Sequence, residues 1–146
     1  MLKKSITYID FNGIEQTDEC YFNLSKSELT QMEMSEKGGF ENYISKMIEE
    51  KDNKKIYALF KEIVLSSYGE KSSDGRSFIK KKIIDGQMVN LRDEFEQTMA
   101  FDTLMMELIS GGETAVAEFI NKLIPKELQD ELVKQVNEGK IKLPTK

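Results

Sequence analysis

Histidine is missing from all 146 residues, and cysteine occurs once, at Cys20. The first absence removes the commonest general base and metal ligand, and the second leaves neither a zinc site nor an internal disulfide to build. Cys20 stands between charged and aromatic residues in a predicted strand, so it reads as a reduced packing residue in an intracellular setting. No apolar run approaches the roughly 20 residues needed to cross a bilayer, and Met1-Leu2-Lys3-Lys4 leads into alternating residues rather than a signal-peptide core. The expectation is a soluble chain with no membrane role. No phosphate-binding loop and no dinucleotide fingerprint is present either.

What is there is ordinary globular material. The chain is 39% hydrophobic and 32% charged with net charge −5, and a domain of this length buries about 70% of the surface of its unfolded form. An acidic balance argues against nucleic acid as a partner, because phosphate affinity rests on clustered lysine and arginine. Lys80-Lys81-Lys82 is the basic cluster of the sequence, and a solvated strand edge is its ordinary reading.

The alternating β-branched and aromatic residues of Ser5 to Phe11, the Asn12-Gly13 turn and Cys20 to Leu24 predict an antiparallel hairpin. Ile6 and Tyr8 fall on one face and Thr7, Ile9 and Phe11 on the other, so one face is free to meet a partner while the other packs. Ser25 and Glu28 form a capping box for a short helix to about Met34. A second helix follows from Phe40, Tyr43, Ile44, Met47 and Ile48. A third, capped by Asp52, carries Ile56, Leu59, Phe60, Ile63 and Val64 at helical spacing and stops at a left-handed Gly69. The two should pack as an antiparallel pair.

Ser72 to Gly75 is a turn signal, and Phe78 to Ile84 with Asp85-Gly86 and Met88 to Leu91 makes a small hairpin. Asp93 caps a central helix bearing Phe95, Met99, Phe101, Leu104, Met105, Leu108 and Ile109. After Gly111-Gly112, Val116, Phe119, Ile120, Leu123 and Ile124 give another helix. Pro125 closes it and starts a last helix with Leu128, Leu132, Val133 and Val136. The fold class expected is α+β and mostly α: a hairpin over residues 3–24, then a bundle of about five to six helices with a loop or hairpin insertion around residues 70–91. One domain spans 1–139, and 140–146 form a polar tail.

Chemistry is sparse. With Asp74 and Gly75 set at the fifth and sixth positions of a calcium loop, the twelfth falls on Lys81, where a bidentate glutamate is required. Glu49-Glu50 and Asp93-Glu94 sit at helix ends, where dipole interactions and solubility explain them. No catalytic, metal-binding or cofactor-binding residue is assigned, and a non-enzymatic protein is expected. The methionines Met99, Met105 and Met106 on one helix suit an adaptable binding surface as well as a core. The candidate partner-binding residues are Tyr68, Phe78, Ile79, Phe95, Met99 and Phe101, with core packing the more ordinary role for Phe95, Met99 and Phe101.

In the order of its motifs the chain resembles the tail assembly chaperones of long-tailed phages and prophages of Gram-positive bacteria. The motifs are Tyr21-Phe22-Asn23-Leu24-Ser25-Lys26, the run from Tyr68 to Lys80, Phe95-Glu96-Gln97-Thr98 with Phe101 and Leu104, and Ala117 to Asn121 up to Ile124-Pro125. Together they cover most of residues 3–125. The resemblance implies a small, mostly helical chaperone that binds the tape-measure protein before the tube polymerises, with the tail-tube protein as an open second candidate. It also implies a place in the host cytoplasm, absence from the finished virion, a possible longer form made by ribosomal frameshifting near the end of this one, and homo-oligomers as an open possibility. The alternative is a structural tail or head–tail connector component, in which the first hairpin adds strands to neighbouring subunits.

Overall fold

The computed structural model describes residues 1–35 and 53–124. Two strands open the chain: β1 (Leu2–Ile9) and β2 (Glu15–Phe22), antiparallel with Leu2 opposite Phe22 and Ile9 opposite Glu15. The Asp10 carboxylate fixes the connection by accepting from the backbone N–H of Asn12 (2.8 Å) and of Ile14 (3.0 Å), and Gly13 takes the positive φ of 79° that closes it. Period-two alternation turns Ile6, Cys20 and Phe22 inward, where each is buried.

The capping box forms as expected at the start of α1 (Lys26–Ser35). The Glu28 N–H donates to Ser25 Oγ at 3.2 Å, and the Ser25 N–H donates to Glu28 Oε1 at 3.0 Å. The next described helix, α2 (Asn53–Ser67), buries Phe60, Ile63, Val64 and Leu65. It runs straight into β3 (Tyr68–Lys71), which pairs with β2 through Tyr21↔Gly69 and Phe22↔Tyr68. Gly69 is therefore a strand residue and not a left-handed helix stop. A Cβ built there would lie 2.5 Å from Phe78 Cε2 and 2.6 Å from the Ile79 carbonyl oxygen, so close approach of β4 is what demands glycine.

Strand β4 (Phe78–Ile79) completes a four-stranded antiparallel sheet in the order β1-β2-β3-β4. The strand expected from Phe78 to Ile84 is split at Lys80: Phe78 and Ile79 join the sheet as β4, and only β5 (Lys81–Ile84) forms the small hairpin with β6 (Gln87–Asn90), through a two-residue turn with Asp85 at φ 51° and Gly86 at φ 77°, the type I′ signature.

The central helix is divided. Helix α3 (Leu91–Glu96) ends at Gln97, and α4 (Met99–Ser110) starts afresh from Thr98, whose Oγ1 accepts from the Phe101 N–H at 3.2 Å. Thr98 is the working cap of the long segment, and Asp93 lies inside the first turn of α3. Gly112, at φ 76°, turns the chain into α5 (Gly112–Leu123), which buries Phe119, Ile120 and Leu123.

The expected helical bundle is not what the chain builds. Among the described residues there are five helices and two antiparallel sheets, of four and two strands. The protein is α+β, and the phrase mostly helical does not fit it. The physical reason lies at Tyr68 to Lys71: polar, turn-like residues in sequence that extend because β2 offers a free edge at Tyr21 and Phe22. One hydrophobic core joins the inner face of β1–β2 to α2, α3, α4 and α5. Phe22, fully buried, is its centre, with ring centroids 5.7 Å from Tyr68, 5.9 Å from Phe95 and 5.3 Å from Phe119, all edge-on. The helix expected from Phe40 to Ile48, the Asp52 cap of the next helix, the Leu128–Val136 helix and the 140–146 tail lie outside the described residues.

Candidate partner-binding surface

The stretch from Tyr68 to Leu108 joins sheet, hairpin and helices, and its apolar residues divide between interior and surface. Phe95 (3% exposed) and Phe101 (7% exposed) belong to the core. Tyr68 is half-buried and stacks face to face on Phe95, with centroids 3.9 Å apart and planes 3° from parallel. Burial pushes its hydroxyl up to about 12. Phe78, Ile79 and Met99 are half-buried. The six candidate residues thus do not form one open patch: Phe95 packs against both Tyr68 and Phe101, while Phe78 and Ile79 lie on β4 at the far edge of the sheet.

The basic run is mostly spoken for by neighbours. Lys80 Nζ donates to Glu28 Oε2 at 2.7 Å, to the Asn23 carbonyl at 3.1 Å and to the Ser66 carbonyl, and it sits 5.5 Å from the Phe78 ring centroid. One ammonium therefore ties β4–β5 to the start of α1 and to the last turn of α2, whose C-terminal carbonyls lack helical partners. Burial works to raise the Glu28 carboxyl, but the hydrogen bonds from Lys80 and the Ser25 N–H outweigh it and hold it below the usual value. Lys82 pairs with Glu70. Arg92 grips Glu62 with two parallel hydrogen bonds of 2.8 and 2.7 Å, which fasten α3 to α2 and lower the Glu62 carboxyl.

What projects freely is a different set. Ile83 is 71% exposed and Met88 63% exposed, and the register sets them directly opposite each other on one face of the β5–β6 hairpin, beside Lys81 and Asn90. At the tip of β1–β2, Phe11 is 82% exposed, flanked by Ile9 and Ile14. Both tips are held by defined turns rather than by the core, so their apolar side chains stand out on stiff supports. The candidate list missed all five. A signal for two of them was in the sequence: the two-residue Asp85-Gly86 turn makes Ile83 and Met88 cross-strand neighbours by simple counting. For Phe11 the signal was its place on the second apolar face of the first hairpin.

Aromatic packing encloses the centre of this α+β fold, and its most exposed apolar side chains, Phe11, Ile83 and Met88, stand on two hairpins, with Met106 and Ile109 exposed on α4. The chain matches the family model described as phage tail assembly chaperone over residues 1–145, and it belongs to that family. No curated protein and no solved structure matches it. Among the described residues no helix is long and apolar enough to cross a membrane.

Proposed function

We propose that this chaperone binds the tape-measure protein in the host cytoplasm and keeps it soluble until the tail tube polymerises around it, without catalysing a reaction. The observation that carries this reading is the exposure of Phe11, Ile83 and Met88 on two turn-locked hairpins. A long helical partner presents apolar stripes that aggregate when bare, and stiff apolar side chains cover such stripes at small entropic cost. Methionine at position 88 adds the adaptability that a repetitive, imperfectly matched partner requires. Phe78, Ile79 and Met99, each half-buried, are the further residues of the proposed contact surface, and Tyr68, Phe95 and Phe101 act through the core.

Co-expression of the tape-measure protein with this chain tests the reading. The expected outcome is a tape-measure protein that moves from the pellet to the supernatant and co-purifies with the chaperone. A tape-measure protein that stays insoluble, with no complex, contradicts it. Purified particles should lack the chain; its stoichiometric presence there would favour a structural tail component.

A further inference from the structure

Strand β3 covers only the end of β2. Its register reaches Tyr21 and Phe22, so the edge of β2 from Glu15 to Cys20, on the side away from β1, has no neighbouring strand among the described residues. Residues 15 to 19 are all exposed. The arm is nonetheless rigid: all eight residues of β2 pair with β1, Thr7 and Thr17 share a hydrogen bond of 2.9 Å across the hairpin, the Tyr8 hydroxyl donates to Asp18, and Gln16 Nε2 donates to Asp10 at 3.0 Å.

A bare edge invites another strand, and proteins guard such edges with lysine, proline or a bulge. This one is lined with acid. Asp10, Glu15, Asp18 and Glu19 are the charged residues between Ser5 and Ser25, and no lysine or arginine falls in that span. Glu15 and Glu19 share one face with Thr17, and among the described residues Glu19 has an ion pair, to Lys3 at 3.3 Å with both side chains more than half exposed, and Glu15 has none. A second copy adding here edge to edge would set carboxylate beside carboxylate, which is unfavourable for directly opposed strands. A cationic strand would set opposite charges together.

We propose that the open edge of β2, from Glu15 to Glu19, is a strand-addition site for an extended segment of a partner protein in which basic and apolar residues alternate. Main-chain hydrogen bonds supply the docking, continuing the sheet along the line that β3 begins. Lysine or arginine side chains on one face pair with Glu15 and Glu19. Apolar side chains on the other face lie alongside Gln16, Asp18 and Cys20. The charge pattern selects against self-pairing and in favour of this occupant.

The probe is a blocked seven-residue peptide of alternating lysine and valine, titrated into the full-length chain at moderate salt and followed by amide NMR and hydrogen exchange. The expected result is perturbation centred on Glu15 to Cys20, with exchange at the edge amides slowed at least tenfold. The matching glutamate–valine peptide should do neither. Glu15→Lys combined with Glu19→Lys, both at exposed positions that the fold tolerates, should reverse the preference between the two peptides. Perturbation without exchange protection, binding that maps elsewhere, equal binding by the double variant, or self-association through this edge would each overturn the proposal. No tape-measure protein enters the experiment, so its failure leaves the preceding reading standing.

Discussion

Tyr68 lies flat on Phe95, ring to ring at 3.9 Å, and the pair locks the first residue of β3 to the last turn of α3. Both rings also approach Phe22 edge-on. The stack is a joint in the core between sheet and helix.

Removing that joint should cost stability. Tyr68→Ala is expected to lower the unfolding free energy by about 2–3 kcal/mol, less than for a fully buried aromatic because Tyr68 keeps some exposure. Tyr68→Phe keeps the rings and should change it by less than about 0.5 kcal/mol. Urea denaturation of the two variants checks both values.

Gly69 makes a sharper steric prediction. Its φ is ordinary, so alanine would suffer no backbone strain, but the added Cβ meets Phe78 and the Ile79 carbonyl inside 3 Å. Gly69→Ala should therefore destabilise by about 2 kcal/mol through overpacking. A companion Phe78→Leu change should recover part of the loss by removing the nearest ring atoms. Equal stability of Gly69→Ala and the parent in a urea titration would contradict this geometry.

These two residues also show what the sequence could and could not reveal. Helical spacing disclosed α2, α5 and much of α4, and turn chemistry disclosed the first hairpin and the Asp85-Gly86 turn of the second, though not the division of Phe78 to Ile84 between two sheets, because the turn signals are local and the division is not. The capping box at Ser25 and Glu28 was legible for the same reason. The sheet beyond the first hairpin was not. Tyr68 to Lys71 carries no β-pattern and becomes a strand because β2 exposes an edge to it, a tertiary fact. The break at Gln97-Thr98 was hidden by an apolar pattern that continues through it. On the surface, burial divided the candidates: Phe95 and Phe101 went to the core, whereas Ile83 and Met88 stayed out because a two-stranded hairpin has only one face to bury.

The Lys80–Glu28 pair predicts a pH dependence. Glu28 is held below its usual value in the folded chain despite burial, so the stability it confers is fully present above the unfolded carboxyl value and is lost as pH falls through the lower, folded value. Glu62, lowered chiefly by Arg92, acts in the same direction, weakened by solvent because its side chain is 53% exposed. Urea midpoints should fall between pH 5 and pH 3, and Glu28→Gln should flatten that fall while lowering stability at pH 7. Lys80→Met, which leaves Glu28 Oε2 and two carbonyls without the Lys80 donor, should cost about 1–2 kcal/mol at pH 7.

Cys20 should be slow to react. The residue is 4% exposed, and burial pushes its thiol up to about 11, with the nearby Asp18 charge adding to the effect. Alkylation at pH 8 should proceed at least tenfold more slowly in the native chain than in urea, read by intact mass. Rapid native modification would show that the inner face of β1–β2 opens readily.

The most direct test of the account is a titration of the purified tape-measure protein, or a soluble helical fragment of it, with the parent chain and with a Phe11→Ser, Ile83→Ser, Met88→Ser variant. The three positions are 82%, 71% and 63% exposed, so the variant should melt within a few degrees of the parent. The account predicts at least a tenfold loss of affinity with the fold intact. Undiminished binding by the folded variant would contradict it.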